Sequence, residues 1–120
     1  MKPTPIWTND LSNFIGTTAY WPICKFCMLT DGAKFLADHA EAYWLMYAIA
    51  SYLPDLRDKH QFVVATLTVT DSKALLRLDD GNGHVLAKQL VSYTDFPLPS
   101  FTCYASWAGD FWVLMLPSEY

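Results

Sequence analysis

Between Thr30 and Pro54 the chain reads TDGAKFLADHAEAYWLMYAIASYLP, and its second half carries no charge. At about 100° per residue this stretch predicts one helix with an apolar side formed by Phe35, Leu36, His39, Ala42, Tyr43, Met46, Tyr47 and Ala50. Lys34, Asp38 and Glu41 lie on the opposite side, which gives the first half an ordinary amphipathic pattern. From Ala42 onward Trp44, Leu45, Ala48 and Tyr52 replace those charges. A helix that is apolar all round has to be covered on two sides. A sheet covers one of them; residues 1–29 or a second molecule cover the other.

The boundaries of this helix follow from local chemistry. Thr30 or Asp31 can accept the free amides of the first turn, and the charge of Asp31 suits the positive helix end. Pro54 disfavours helical geometry in the residue before it, so the predicted helix spans 30–53. Residues 1–29, punctuated by Pro3, Pro5 and Pro22, read as irregular, with a short helix from Asp10 to Ile15.

Beyond Lys59 the apolar period changes from 3.6 to 2. Val63, Ala65, Leu67 and Val69 alternate with Thr66, Thr68 and Thr70, as in a half-buried antiparallel strand. Lys73 to Leu78 turns Ala74, Leu76 and Leu78 inward and Lys73 and Arg77 outward. Asp79-Asp80-Gly81-Asn82-Gly83 is turn chemistry, because glycine and asparagine accept positive φ. His84 to Tyr93 forms a third strand, and Phe101 to Trp107 and Phe111 to Leu116 form a hairpin around Ala108-Gly109-Asp110. The expected fold is therefore α+β: a helical N-terminal third, with one long helix packed on an antiparallel sheet of about five strands spanning 61–116. A chain of 120 residues suits a single domain, 1–120.

Composition narrows the function classes. Net charge is −4, which disfavours a phosphate-backbone binder, so nucleic acid is not the expected partner. The opening MKPTPIWTND lacks an apolar signal segment, no run is long enough to span a membrane, and three cysteines suit a reducing compartment. A cytoplasmic protein is expected. Five Trp, seven Tyr and seven Phe are many for a chain this size; they read first as a core rich in aromatics and second, since such side chains also favour interfaces, as an exposed patch for a partner.

Four segments carry a resemblance: GTTAYW (16–21), TDGAKFLADHAEAYWLMYAIASY (30–52), YTDFPL (93–98) and LPSEY (116–120). In this order they resemble a family of small uncharacterised bacterial proteins, classed as a domain of unknown function and often carried by phages and other mobile elements. The resemblance supplies no catalytic residues. It implies a mobile-element accessory protein, a group in which small acidic proteins inhibit host defence complexes, as anti-CRISPR-like proteins do.

Constellations for chemistry are sparse. Cys24-Lys25-Phe26-Cys27 has the spacing of a zinc clamp or a redox pair, but His39, His60, His84 and Cys103 offer no second close pair, so two buried cysteines are the expectation. His39 sits apart from Asp38 and Glu41 on the helix, and Asp79 and Asp80 lack the alternating ligands of a calcium loop. No nucleophile elbow or phosphate-cradling loop is present. No catalytic residue, cofactor or metal is therefore expected, and the chain reads as a protein-binding accessory protein acting on a host protein or complex. Its expected contact residues are Trp44, Leu45 and Tyr52 on the helix and Asp55, Asp58, Asp79 and Asp80 in acidic loops. The same helix side would serve a homodimer. The alternative is a small nucleic-acid-binding regulator using the outward sheet face, with Thr66, Thr68, Lys73, Arg77, Lys88 and either Tyr104 or Trp112.

Overall fold

The alternating segments form strands where the pattern places them. The computed structural model describes residues 14–120; the short helix expected from Asp10 starts outside these residues. Strands β3 (Phe62–Thr70), β4 (Lys73–Asp79), β5 (Val85–Val91), β6 (Ser100–Trp107) and β7 (Trp112–Met115) match the five read from the sequence. The β3–β4 connection is a two-residue turn with Asp71 and Ser72 at φ of 53° and 62°, the positive pair that matches strand twist. The β4–β5 turn uses Gly81 and Gly83 at positive φ, with Asp79 Oδ1 accepting the Gly81 amide at 2.7 Å.

Two further strands lie in the segment expected to be irregular, and they change the architecture. β1 (Trp21–Cys24) and β2 (Cys27–Leu29) form a hairpin around Lys25-Phe26, and β2 then runs parallel to β7. The result is a seven-stranded mixed sheet in the order β1-β2-β7-β6-β3-β4-β5. Pro22 is compatible with this because β1 is an edge strand, the part of a sheet in which proline is tolerated. About 39% of the described residues are in strands and 24% in helices, so the fold is mostly sheet, in place of the helical third and five-stranded antiparallel sheet expected.

The long helix is also two. α1 (Asp31–His39) and α2 (Tyr43–Leu56) are separated by a break in which Glu41 takes φ of 50°. The Ala42 amide reaches back to the Ala37 carbonyl at 2.9 Å, and the Ala40 amide to Leu36. This is the helix-ending arrangement usually built on glycine. Its reason lies in the core. α1 buries Gly32, Ala33, Leu36 and Ala37, whereas α2 buries Leu45, Met46, Ile49, Ala50 and Leu53. On a continuous helix those two sets would lie roughly 140° apart, so one straight rod could not set both on the same sheet face. The break re-aims α2, Leu45 enters the core and Tyr47, expected on the sheet, is 51% exposed.

Pro54 does not stop the helix at 53. Proline's fixed φ is itself helical, and the turn after it is closed by the Arg57 amide on the Leu53 carbonyl at 3.1 Å. Both helices share one core with the same sheet face, which carries Cys27, Leu29, Val63, Ala65, Leu67, Leu76, Leu78, Cys103, Ala105, Trp112 and Leu114. Because the left-handed backbone costs a side-chain-bearing residue about 1–2 kcal/mol, Glu41→Gly is expected to raise stability by about 0.5–1 kcal/mol despite glycine's entropy. Glu41→Val should lower it. Urea unfolding midpoints of the two variants check this, and destabilisation by Gly would contradict the break.

Candidate functional site

Since Val63, Ala65 and Leu67 turn toward the helices, their neighbours on β3 turn the other way. Strand register carries that alternation across the sheet. Thr66 stands opposite Thr102 on β6 and Arg77 on β4, and Arg77 stands opposite Lys88 on β5. One row, Thr102, Thr66, Arg77 and Lys88, thus crosses four strands on the helix-free face. Two cations directly opposite one another repel. Asp79, two residues along, offsets this in part with a carboxylate 3.4 Å from the Arg77 guanidinium. Lys73 lies on the same face of β4, so its strand residues present three cations and one carboxylate on a chain of net charge −4.

Beside this row sits a cluster of rings. Phe62 and Tyr104 are diagonal neighbours on β3 and β6 with ring centroids 5.2 Å apart, and Tyr120 packs on both at 5.1 and 5.6 Å. Such tilted and edge-on pairs add to the area they bury and hold the rings in place. Tyr120 is nonetheless 77% exposed. At the opposite end of the face, Thr68, Thr70, Asp71, Lys73, Ala74, Leu75 and the exposed Leu90 line a depression of about 440 Å³.

Tyr120 is delivered to this face by its neighbour. Glu119 Oε1 accepts the Thr30 hydroxyl at 2.5 Å and the Leu116 amide at 2.9 Å, and its Oε2 accepts the Gly32 amide at 3.0 Å. The carboxylate therefore caps the first turn of α1, where the helix end is positive. Next to it Asp31 accepts the Thr18 amide and hydroxyl at 2.8 Å and the Trp21 indole at 3.1 Å, while its own amide donates to Thr17 Oγ1. These donors, led by the Thr18 amide, hold the Asp31 carboxyl at about 2. Three of the four segments that carry the family resemblance, 16–21, 30–32 and 116–120, thus meet at one helix end. YTDFPL lies elsewhere: the Thr94 amide donates to the Ser72 carbonyl at 2.8 Å and Phe96 packs on Phe101.

The residues expected to contact a partner are not gathered in one place. Leu45 is fully buried, which corrects its reading as a surface residue; the re-aimed α2 turns it inward. Trp44 is half-buried, and the Tyr52 hydroxyl donates to Gln89 Oε1 on β5 at 3.0 Å. Asp55 and Asp58 are exposed near the end of α2. Asp79 is buried beside Arg77, and Asp80 is committed to its turn, accepting the Asn82 amide at 2.8 Å and lying 2.9 Å from His84 Nδ1. Those bonds, the Asn82 amide first, hold the Asp80 carboxyl at about 2. Cys24 and Cys27 face each other across the β1–β2 turn, and burial pushes the Cys27 thiol far above its usual range. Cys103 is likewise pushed up to about 12 by burial. Among the described residues, no three His, Cys, Asp or Glu side chains are grouped to hold a metal ion, and no helix is long and apolar enough to cross a membrane. Phe62 and Tyr120 were not foreseen. Phe62 is signalled by the same alternation as Thr66, whereas Tyr120 has no such signal.

A model of a family of unknown function (DUF6876) matches residues 6–120. The chain belongs to this family. None of the curated proteins matches it. A crystal structure of a protein of unknown function from Enterococcus faecalis shares the fold with a TM-score of 0.58 at 14% identity, covering 80% of this chain and 91% of that one.

The clasp at α1 makes a pairwise prediction. A Cβ on Gly32 would lie 2.6 Å from Glu119 Oε1 and 2.7 Å from Leu116 Cδ1. Gly32→Ala should therefore destabilise the protein although alanine favours helix by about 1 kcal/mol. Glu119→Ala should cost about 1–3 kcal/mol through the amides it leaves unpaired. In the double variant the alanine at 32 should cost less than it does alone, because the oxygen it strikes is gone. Additive losses in urea unfolding would contradict the clasp.

Proposed function

We propose that this chain is a non-catalytic binding protein that holds a partner protein on the helix-free sheet face. The observation that carries this reading is the ring cluster of Phe62, Tyr104 and Tyr120 beside the row Thr102, Thr66, Arg77 and Lys88. Tyrosine and arginine are the residue types in which interface energy concentrates, and pre-packed rings lose little freedom on binding. The cation excess of this face favours an acidic patch on the partner. This moves the expected contact away from Trp44, Tyr52 and the acidic loops, which supply no comparable cluster.

The resemblance to phage and mobile-element proteins supports a host protein or complex as the partner, with inhibition of a defence complex as the biological role. Three free cysteines support the cytoplasm as its place of action. A second reading, single-stranded nucleic acid, is favoured by the same cations beside stackable rings.

Capture from host lysate on the immobilised protein tests the proposal against both alternatives. Tyr104→Ala and Arg77→Ala, each checked for cooperative unfolding, should weaken capture of a defined acidic protein at least about tenfold, or 1.4 kcal/mol, and added salt should weaken it further. Undiminished capture by both variants would refute the face. Tight, salt-sensitive binding of a labelled oligonucleotide with no protein captured would select the second reading.

A further inference from the structure

On the other side of the sheet, four elements converge on a crevice of about 220 Å³ lined by Phe26, Pro54, Arg57, Trp107 and Trp112. Phe26 comes from the β1–β2 turn, Pro54 from the last turn of α2 and Arg57 from the residue that caps it. Trp107 and Trp112 are register partners in the β6–β7 hairpin. The walls are fixed by the fold. The Trp112 amide donates to the Phe26 carbonyl at 2.7 Å, the Trp107 amide to Gln61 at 2.9 Å and the Arg57 amide to Leu53 at 3.1 Å. The two indoles meet edge to face with centroids 5.7 Å apart, and Trp112, 1% exposed, forms the floor.

Size and lining define what fits. The space exceeds the roughly 30 Å³ share of one water several-fold, yet falls below the roughly 300–1,000 Å³ of pockets for drug-sized ligands. It suits one ring with a small substituent. Three aromatic walls and a proline favour a flat apolar group. Charge selects the substituent: Arg57 is the one ionised residue of the lining, its guanidinium 5.1 Å from the Trp107 ring centroid and its side chain 51% exposed at the mouth. The neighbouring Asp58, 3.7 Å away and 89% exposed, is a surface partner that binds it weakly. A carboxylate entering the mouth can take the two-pronged hydrogen bond that guanidinium offers, in a drier setting than Asp58 provides.

We propose that this crevice is a binding site for a small aromatic carboxylate, its ring seated between Pro54 and Trp107 over Trp112 and its carboxylate on Arg57. The site is independent of the helix-free face, so each can fail without the other.

Phenylacetate, with benzyl alcohol as its uncharged counterpart, serves as the probe, and the indole N–H signals of Trp107 and Trp112 in the full chain serve as the readout. Phenylacetate should shift both signals saturably with a Kd at or below about 1 mM. Benzyl alcohol should bind at least about tenfold more weakly. Arg57→Gln, at an exposed helix end, should leave the unfolding transition in place and remove the preference for the acid. Trp107→Phe should weaken both probes. Absence of saturable shifts, equal binding of the two probes, or an unchanged preference in Arg57→Gln would each overturn the proposal.

Discussion

The left-handed turn at Glu41 is the constraint from which the rest of the molecule follows. The apolar sets of α1 and α2 point to different sides of any continuous helix, and burial of both on one sheet face is possible only if the backbone breaks between them. Small residues make the break compact: Ala40 and Ala42 are both buried and let the helices approach closely. With both α-helices on one side, the sheet is left with one packed face and one face that carries neither of them. The candidate site is the consequence of that asymmetry.

A second interaction links the two faces. Glu119 secures the first turn of α1 and the start of its own turn at Leu116, and the residue after it places a ring against Phe62 and Tyr104. The same carboxylate thus completes the helix cap and seats the exposed aromatic. Residues 16–21, 30–32 and 116–120, distant in sequence, meet at this cap, which gives these motifs a structural meaning in this chain that spacing alone does not convey.

How far the chain could be read depended on which physical signal each part carries. β3 to β7 were legible because alternation of Val63, Ala65 and Leu67 with threonines states both strand and face, and the Gly81-Asn82-Gly83 turn marks a connection. β1 and β2 were not, since strands of four and three residues are too short for periodicity and Pro22 reads as a breaker unless the strand is known to be an edge. The helix break was hidden because Glu41 stands where glycine or asparagine ordinarily marks a left-handed residue. Its indirect signal was the disappearance of the polar side from Ala42 onward, which records a change of phase rather than a helix covered twice. On the site, Thr66, Thr68, Lys73, Arg77 and Lys88 could be named from alternation alone, and register then showed Arg77 and Lys88 side by side; Tyr104 was named only as an alternative to Trp112, which register turns to the helix side, where it is buried. Tyr120 became visible only through the Glu119 clasp.

Charge segregation connects this architecture to the proposed binding: an acidic chain places Lys73, Arg77 and Lys88 on the face its two α-helices leave free. Side-chain footprinting by hydroxyl radicals, comparing the free protein with the protein bound to its captured partner, tests this directly. Phe62, Tyr104 and Tyr120 should be protected in the complex, while Tyr47, exposed on the helix side, keeps its reactivity. Protection of Tyr47 with Tyr104 and Tyr120 unchanged would contradict the account.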